Sequence, residues 1–311
     1  MKIYDCFTFY NEIELLELRL NLLAPYVDFF VLVEADVTHR GEIKQFYFDK
    51  NKKLFEKYAK QIIHIKMHGN KKVTVPNDWS LENLQRMYIK KGLNNCQPND
   101  IVIISDADEI PNPEVIKAIK NNTLQIKGHI DKLHRIARKR KNKIGAYRNY
   151  IKLIYDYYKG NFICDILEKT PLVFSQEHYY YFMNYHHDDK WCGSVISLYK
   201  NMNTPQYLRD FRRKLPIISN GGWHFSYMGG IDRVLLKINS TVDENPTAAN
   251  NKKYDIQYVQ EHIQRGSLMY DYQDNELNVF KLVDIENIGI PNIEKFFTKY
   301  PYLYWHDIVS Q

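Results

Sequence analysis

The chain has 311 residues, of which 44% are hydrophobic and 26% charged, and its formal net charge is +6. This composition is typical of a folded globular protein and excludes a disordered chain, a collagen-like repeat and a disulfide-rich scaffold. The main departure from average usage is aromatic, with 25 Tyr and 15 Phe. A Tyr surplus suits a carbohydrate-like or planar ligand, because the side chain joins a flat apolar ring to a hydroxyl. A codon bias that also enriches Lys, Asn and Ile is the favoured explanation of the surplus.

The N-terminal residues and the cysteines indicate a cellular compartment. The chain starts with strand-like residues and lacks the basic-then-apolar pattern of a secretory signal. No apolar run approaches the roughly 20 residues that cross a bilayer. The four cysteines are scattered without a C-x-x-C pair, which is typical of free thiols in a reducing environment. We therefore expect a cytoplasmic protein without a transmembrane segment.

Strand-like and helix-like segments alternate over the first 120 residues. Apolar strands are predicted at 2–9, 28–34 and 62–65, and in the stretch that starts at residue 100. Helices are predicted after Asn11, which has the residue type and position of an N-cap, over 81–92, and after Asn112-Pro113. This alternation predicts an α/β fold with a Rossmann-like, mostly parallel sheet and helices on both faces.

Acidic residues follow two of these predicted strands. Glu34 ends one strand, and Asp106, Asp108 and Glu109 follow the apolar run 101–104. Ligands bind beyond the carboxyl ends of parallel strands, so both sets are expected at one edge of the sheet. Residues i and i+2 of an extended segment point the same way, and paired carboxylates suit Mg²⁺ or Mn²⁺ shared with a diphosphate. The alternative is a solvated acidic turn.

A second candidate metal ligand is His224, which follows Gly221-Gly222. The glycines form a turn that can let backbone approach a ligand closely, although a His among aromatic residues is more often part of the core. The run 186–189, two His followed by two Asp, is an alternative metal-binding segment, but neighbouring side chains face opposite ways in a strand. We expect this run to form a solvated loop.

The positive charge is concentrated in residues 127–148, which contain nine Lys or Arg and one Asp. This surplus of eight exceeds the net charge of the whole chain, so the remainder is slightly acidic. A solvated face, a peripheral contact with membrane headgroups and an anionic acceptor all remain open. Nucleic acid is the weakest interpretation, because no signature of a nucleic-acid-binding fold accompanies the charge.

Six blocks in a consistent order resemble glycosyltransferase family 17, and together they extend from about residue 3 to about residue 270. The blocks are 4–23, 29–48, 104–114, 179–185, 191–197 and 221–230. The resemblance implies a GT-A-type fold and an inverting glycosyltransferase. Such an enzyme moves a sugar, for which N-acetylglucosamine is the favoured candidate, from a UDP-sugar to a hydroxyl of a glycan or glycolipid acceptor. It also implies that Asp106 and Asp108 are the DXD metal motif for Mn²⁺ or Mg²⁺, with His224 as a further metal or phosphate contact.

The same interpretation assigns further site residues. The residues expected at the donor are Glu34, Asp36, Thr38, Lys44, Arg86, Asp106 and Trp191. An inverting transfer also needs a general base that takes the acceptor proton. Asp232, which follows Gly229-Gly230, is the first candidate base, with Asp188, Asp189 and Glu109 behind it. Among the tyrosines, Tyr179 to Tyr181 and Tyr227 lie in the resembling blocks, so some of them are expected to line a sugar cleft.

We expect one GT-A-like domain over 1–311. Its nucleotide-sugar half is predicted at 1–120, the basic insertion at 121–160, and the acceptor half with the C-terminal helices at 161–311. Two other classes of function remain open. One is a non-catalytic module that binds an anionic glycan, and the other is a metal-dependent phosphotransferase or nuclease that uses the same acids.

Overall fold

A computed structural model of the chain describes residues 1–69, 78–125, 130–131, 155, 162–242, 256–268 and 280–306, with backbone alone at 130–131. Apart from that backbone, the basic segment predicted at 127–148 lies outside the described residues. The predictions of a membrane contact or an anionic partner for this segment therefore stay predictions.

The described residues form strands, α-helices and short 3-10 helices. The strands are β1 Ile3–Phe9, β2 Phe29–Ala35, β3 Ile62–Met67, β4 Ile101–Asp106, β5 Glu109–Pro111, β6 Ile130–Asp131, β7 Leu172–Tyr180, β8 Tyr185–Leu198, β9 Ile217–Ile218, β10 Gly222–Ser226 and β11 Lys281–Leu282. The α-helices are α1 Ile13–Leu23, α2 Tyr47–Asn51, α3 Ser80–Met87, α4 Pro113–Lys120, α5 Ile163–Leu167, α6 Pro205–Phe211, α7 Ile231–Ser240, α8 Ile256–Arg265 and α9 Ile293–Lys299. The 3-10 helices are Lys52–Tyr58, Tyr88–Leu93, Tyr199–Asn201, Arg212–Lys214, Ile285–Ile288 and Pro301–Leu303.

The strands form one sheet with the order β3-β2-β1-β4-β8-β7-β10-β5 along its main path. The first four strands are all parallel, and Cys6 of β1 pairs with Val31 on one side and Ile104 on the other. β8 runs antiparallel to both β4 and β7, because the four-residue connection from β7 to β8 is too short for a parallel crossover. The predicted α/β fold with a Rossmann-like parallel sheet is confirmed, and antiparallel strands extend it in the C-terminal half.

Both faces of the parallel strands are covered, as the sequence predicts. On one face, Leu16, Leu20 and Leu23 of α1 pack with apolar residues of β1, β2, α4 and α5 in a single core. On the other face, the 3-10 helix 88–93 and α6 cover the alternate residues of the same strands. Strands buried on both faces need continuous apolar sequence, which is why these strands are recognisable in the sequence.

The two predicted helix starts have different outcomes. Asn112 caps α4 as predicted, since its side chain accepts the N–H of Glu114 at 2.9 Å and Pro113 follows it. Asn11 does not cap α1, because the helix begins at Ile13 and the residue before it is Glu12. The Oε2 atom of Glu12 accepts the backbone N–H groups of Tyr10 and Asn11, both at 3.1 Å. The turn from β1 into α1 is therefore held by Glu12.

Two predictions about irregular segments are wrong. Residues 186–189 lie in β8, where His187 pairs with His178 of β7 and is buried, so this run is not a solvated loop. Gly221 and Gly222 are packed closely against other protein atoms and not against an open ligand site. A Cβ added to Gly221 would lie 2.4 Å from the Phe174 Cβ, and a Cβ added to Gly222 would lie 2.1 Å from the Ile110 carbonyl oxygen.

Candidate active site

A cleft of about 480 Å³ opens at the carboxyl ends of β1, β4, β7 and β10. These four strands point the same way, because two antiparallel pairings separate β4 from β7. Helix α7 contributes Lys237 and Ser240 to the opposite wall. A cavity therefore lies at the edge of the sheet where the ligand-binding residues are expected to meet.

Asp106 ends β4 and lines the cleft, but basic side chains already bind its carboxylate. Its Oδ1 accepts bonds from Arg86 at 2.8 Å and from Thr8 at 3.0 Å, and its Oδ2 accepts one from Arg209 at 2.6 Å. Burial opposes the ionised form, but the charges of Arg209 and Arg86 outweigh it and hold the pKa of Asp106 well below its usual range. The Asp106 carboxylate is therefore ionised at neutral pH, and both of its oxygens accept hydrogen bonds from protein donors.

Arg209 also binds Glu109, which lies behind the cleft wall. Its guanidinium donates to the two carboxylate oxygens of Glu109 at 2.8 and 3.0 Å and to the Gly193 carbonyl oxygen. Glu109 is fully buried and also accepts the indole N–H of Trp191 at 2.7 Å. Predicted as a candidate base, Glu109 is instead enclosed by these donors and does not line the cleft.

Arg19 of α1 holds the acidic turn from below. Its guanidinium donates to the carbonyl oxygens of Asp106 at 3.0 Å and Glu109 at 2.9 Å, and to Ser105 Oγ at 2.6 Å. The two carboxylate oxygens of Asp5 accept from the same fully buried guanidinium at 2.6 and 2.7 Å. The sequence analysis missed Arg19, although an arginine on the apolar stripe of a helix is a visible signal of a buried charge pair.

Asp108 and His224 face each other in the cleft. His224 Nε2 lies 3.7 Å from Asp108 Oδ1, while Asp108 Oδ2 accepts a bond from Lys237 Nζ at 2.8 Å. The imidazole of His224 stacks with the rings of Trp191 and His178, whose centroids lie 4.4 and 5.0 Å from its own and 5.7 Å from each other. Burial lowers the pKa of His224, and it also lowers the pKa of His178 to about 2. Both rings are therefore neutral at physiological pH.

The pair Asp108 and His224 fits a divalent cation that is shared with a substrate. A carboxylate oxygen and a neutral imidazole nitrogen are both ligands for Mn²⁺, and such ions commonly take their remaining ligands from phosphate and water. Within the described part of the chain, no group of three or more His, Cys, Asp or Glu is placed to hold an ion. Both oxygens of Asp106 accept hydrogen bonds from protein donors, whereas Asp108 Oδ1 accepts none within the described residues and faces His224.

The predicted donor residues fall into two sets. Thr38, Lys44 and Trp191 line the cleft with Asp106. The Lys44 ammonium lies 5.0 Å from the centre of the Tyr10 ring, at the end of the cleft formed by β1. Burial lowers the pKa of Lys44, although neighbouring carboxylates oppose the shift.

The other predicted donor residues do not line the cleft, because each is bound to protein groups. Glu34 is fully buried and accepts the backbone N–H groups of Tyr47 and Phe48, so it holds the start of α2. Asp36 accepts the Gly69 N–H at 2.8 Å and bonds to the His68 ring at 2.6 Å. Arg86 lies behind Asp106, which it binds together with Glu82 and Gln206.

Three predicted bases lie away from the cleft. Asp232 is exposed on α7, on the side opposite the buried Val234 and Ile238. Asp188 pairs on the surface with Lys281 at 2.7 Å, and Asp189 is exposed in the same strand. Of the residues described, the carboxylates that line the cleft are Glu12, Glu82, Asp106 and Asp108. Glu12, Glu82 and Lys237 are charged cleft residues that the sequence analysis missed.

Some tyrosines line the cleft and others belong to the core. Tyr180 and Tyr227 line it and stack with ring centroids 5.0 Å apart, while Tyr179 and Tyr181 are buried. Trp223 is also buried and donates its indole N–H to the Ile288 carbonyl oxygen at 2.8 Å. Tyr180, Tyr227 and Trp191 are therefore among the aromatic rings that line the cleft.

The α/β architecture with this cleft is consistent with a Rossmann-like glycosyltransferase fold. Comparison with known families agrees, since residues 1–134 match the model of glycosyltransferase family 17. This match confirms the resemblance to family 17 over the first three sequence blocks, which lie within the 134 matched residues of the 311-residue chain. The blocks after residue 134 lie outside the matched region.

The chain is also similar to β-1,4-mannosyl-glycoprotein 4-β-N-acetylglucosaminyltransferase from Homo sapiens and from Rattus norvegicus. Each is 28% identical over 107 residues, which are 32% of this chain and 20% of the relative. The match thus spans about a fifth of the length of these relatives. In the described ranges, no helix is long and apolar enough to cross a membrane.

Proposed function

We propose that this protein transfers a sugar from a UDP-sugar to a hydroxyl group of a glycan or glycolipid acceptor, with inversion at the anomeric carbon. The sugar that we favour is N-acetylglucosamine. The observation that carries the proposal is the acidic turn Asp106–Asp108, which lies at the cleft edge of a parallel sheet within the region that matches family 17. The similar relatives are named as N-acetylglucosaminyltransferases, and this is the basis for proposing N-acetylglucosamine.

The charge distribution of the cleft suits a diphosphate donor. Lys237 lies beside Asp108 and is one-third exposed in the cleft, and Lys44 is at the other wall. Burial opposes the charge of Lys237, but Asp108 and Glu12 outweigh it and raise its pKa, so the ammonium stays charged. A cation at this position stabilises the negative charge that grows on the leaving diphosphate.

Asp108 and His224 are the residues that would hold Mn²⁺ or Mg²⁺ in this proposal. When bound, such an ion acts as a Lewis acid that neutralises charge on the leaving diphosphate. Arg86, Arg209 and Arg19 hold the acidic turn that carries Asp108, so this ligand needs little reorganisation. Trp191 and Tyr227 offer ring faces to a sugar in the same cleft.

Hydrolysis and binding of nucleotide sugars test the proposal. We expect the purified protein to bind UDP-N-acetylglucosamine and to release UDP from it slowly, faster with Mn²⁺ than with EDTA. Asp108→Asn is expected to lose both activities, whereas Asp188→Asn, the same change at an exposed ion pair, is expected to retain them. The proposal fails if the wild type neither binds nor hydrolyses any UDP-sugar with Mn²⁺ present.

The same assay separates the other classes of function. Binding of an anionic glycan without any turnover of donors would indicate a binding module. Metal-dependent cleavage of RNA or nucleotides that needs no sugar acceptor would indicate a phosphotransferase or nuclease.

A further inference from the structure

Of the four carboxylates described in the cleft wall, Glu12 differs from the rest in its partners. Asp106 is bound by Arg86 and Arg209, Asp108 by Lys237, and Glu82 by Arg86 at 2.8 Å. These three carboxylates are already neutralised by cations, so each is a poor proton acceptor. A carboxylate in the same cavity that forms no salt bridge, as Glu12 does not within the described residues, differs from these three in its ability to accept a proton.

Glu12 has one oxygen committed and one oxygen available. Its Oε2 accepts the N–H groups of Tyr10 and Asn11 at 3.1 Å, and these bonds orient the carboxylate at the start of α1. In the described ranges, no Lys or Arg nitrogen lies within 4.0 Å of it, and Oε1 accepts no hydrogen bond. A carboxylate oriented through one oxygen with the second oxygen free has the geometry of a general base.

We infer that Glu12 takes the proton from the acceptor hydroxyl during sugar transfer, an inference that rests on the proposed function. In this step the acceptor O–H bond breaks and its proton passes to Glu12, while the acceptor oxygen forms a bond to the anomeric carbon. The bond from that carbon to the diphosphate oxygen breaks at the same time, and its electron pair leaves with the UDP. The atoms and charges balance without any further reactant.

The surroundings of Glu12 support this role. Burial raises its pKa and the charge of Asp108 adds to the rise, while Lys237 and backbone N–H groups oppose it. The charged and titratable groups near Glu12 are Tyr10, Lys44, Asp108, Arg233 and Lys237. A carboxylate with a raised pKa is a stronger base than an exposed carboxylate of ordinary pKa.

Glu12→Gln tests the inference, because it removes the basic oxygen and keeps the size of the side chain. We expect the rate constant for transfer to an acceptor to fall by about 10²- to 10⁴-fold. The KM for the donor and the thermal shift caused by UDP are expected to stay within about threefold and about 1 °C of the wild type. Glu17→Gln is the matched control, since Glu17 lies on the same helix but pairs with Lys299 at 2.6 Å on the surface.

The pH dependence distinguishes a base from a residue that only supports the turn. The wild-type rate is expected to fall as the pH drops through the raised pKa of Glu12, and the residual rate of Glu12→Gln is expected to lack this acidic limb. Glu12→Asp keeps a carboxylate and is expected to be faster than Glu12→Gln and to retain the limb. A loss of folding would instead affect donor binding and melting temperature in all variants of this residue.

These experiments distinguish a failure of the Glu12 inference from a failure of the proposed function. If the wild type turns over no nucleotide sugar, the proposed function fails. If the wild type is active and Glu12→Gln transfers sugar within about threefold of its rate, or keeps the acidic limb, the role of Glu12 is refuted and the proposed function stands.

Discussion

Replacing Arg209 with Met removes the cation that joins Asp106 to Glu109. The guanidinium donates to Asp106 at 2.6 Å, to Glu109 at 2.8 and 3.0 Å, and to the Gly193 carbonyl oxygen. Arg209 is only 4% exposed and Glu109 is fully buried. The substitution therefore leaves a buried carboxylate with hydrogen bonds from Trp191 and the Asp106 N–H, but with no Lys or Arg nitrogen of the described residues within 4.0 Å of its oxygens.

The expected cost is large because a buried charge loses its partner. Removing one member of a buried ion pair typically lowers the free energy of unfolding by about 3–5 kcal/mol. Since domains are stable by about 5–15 kcal/mol, Arg209→Met is expected to lose a large share of that stability. The geometry also predicts partial rescue, because Glu109→Gln makes the orphaned group neutral while keeping its shape.

Urea unfolding of four proteins measures these effects: the wild type, Arg209→Met, the double variant with Glu109→Gln, and Arg213→Met. Arg213 is exposed four positions later, so the same substitution there is expected to cost less than about 0.5 kcal/mol. The double variant is expected to regain about 1–2 kcal/mol relative to Arg209→Met. The reasoning is refuted if Arg209→Met costs less than about 1 kcal/mol, or if Glu109→Gln destabilises it further.

Three further predictions concern other parts of the structure. Mn²⁺ together with UDP is expected to raise the melting temperature of the wild type but not of Asp108→Asn, and an equal rise in both would contradict the metal site. Arg19→Lys keeps the charge but loses the planar fork, so urea unfolding should show a loss of about 3 kcal/mol; a loss below about 1 kcal/mol would argue against its role under the turn. Burial raises the pKa of Cys96 to about 12 and that of Cys6 well above its usual range, so iodoacetamide at pH 7.5 is expected to leave both thiols unmodified in the folded protein and to modify both in urea. Rapid modification of native Cys6, read by mass spectrometry, would show that its strand opens readily.

The parallel half of the fold was predictable for a definite physical reason. β2 and β4 are buried on both faces, so each contains an apolar run, 29–33 and 101–104, and an acid follows each run near the end of the strand. Asn112 was equally predictable, since capping depends on residues that are adjacent in sequence. Local patterns of this kind are contained in a single segment.

The partners of the acids were not predictable in the same way. Arg209 is 103 residues from Asp106, and no local pattern relates the two. Asp232 was favoured as a base because it follows two glycines, but only the packing of α7 shows that it faces outward. Glu12 was overlooked because Asn11 has the more common type of N-cap residue, whereas the actual start of α1 lies two residues later.

Helix α1 connects the proposed base Glu12 to Arg19, which binds the acidic turn. Its N-terminal boundary is Glu12, and Arg19, seven residues later and therefore about 10 Å along the axis, binds the carbonyl groups of the acidic turn. A rigid helix thus sets the spacing between the proposed base and the residues that face the donor. Any tilt of α1 moves both groups together, so substitutions in its buried face, such as at Leu16 or Leu20, are expected to alter the alignment of acceptor and donor without touching either substrate.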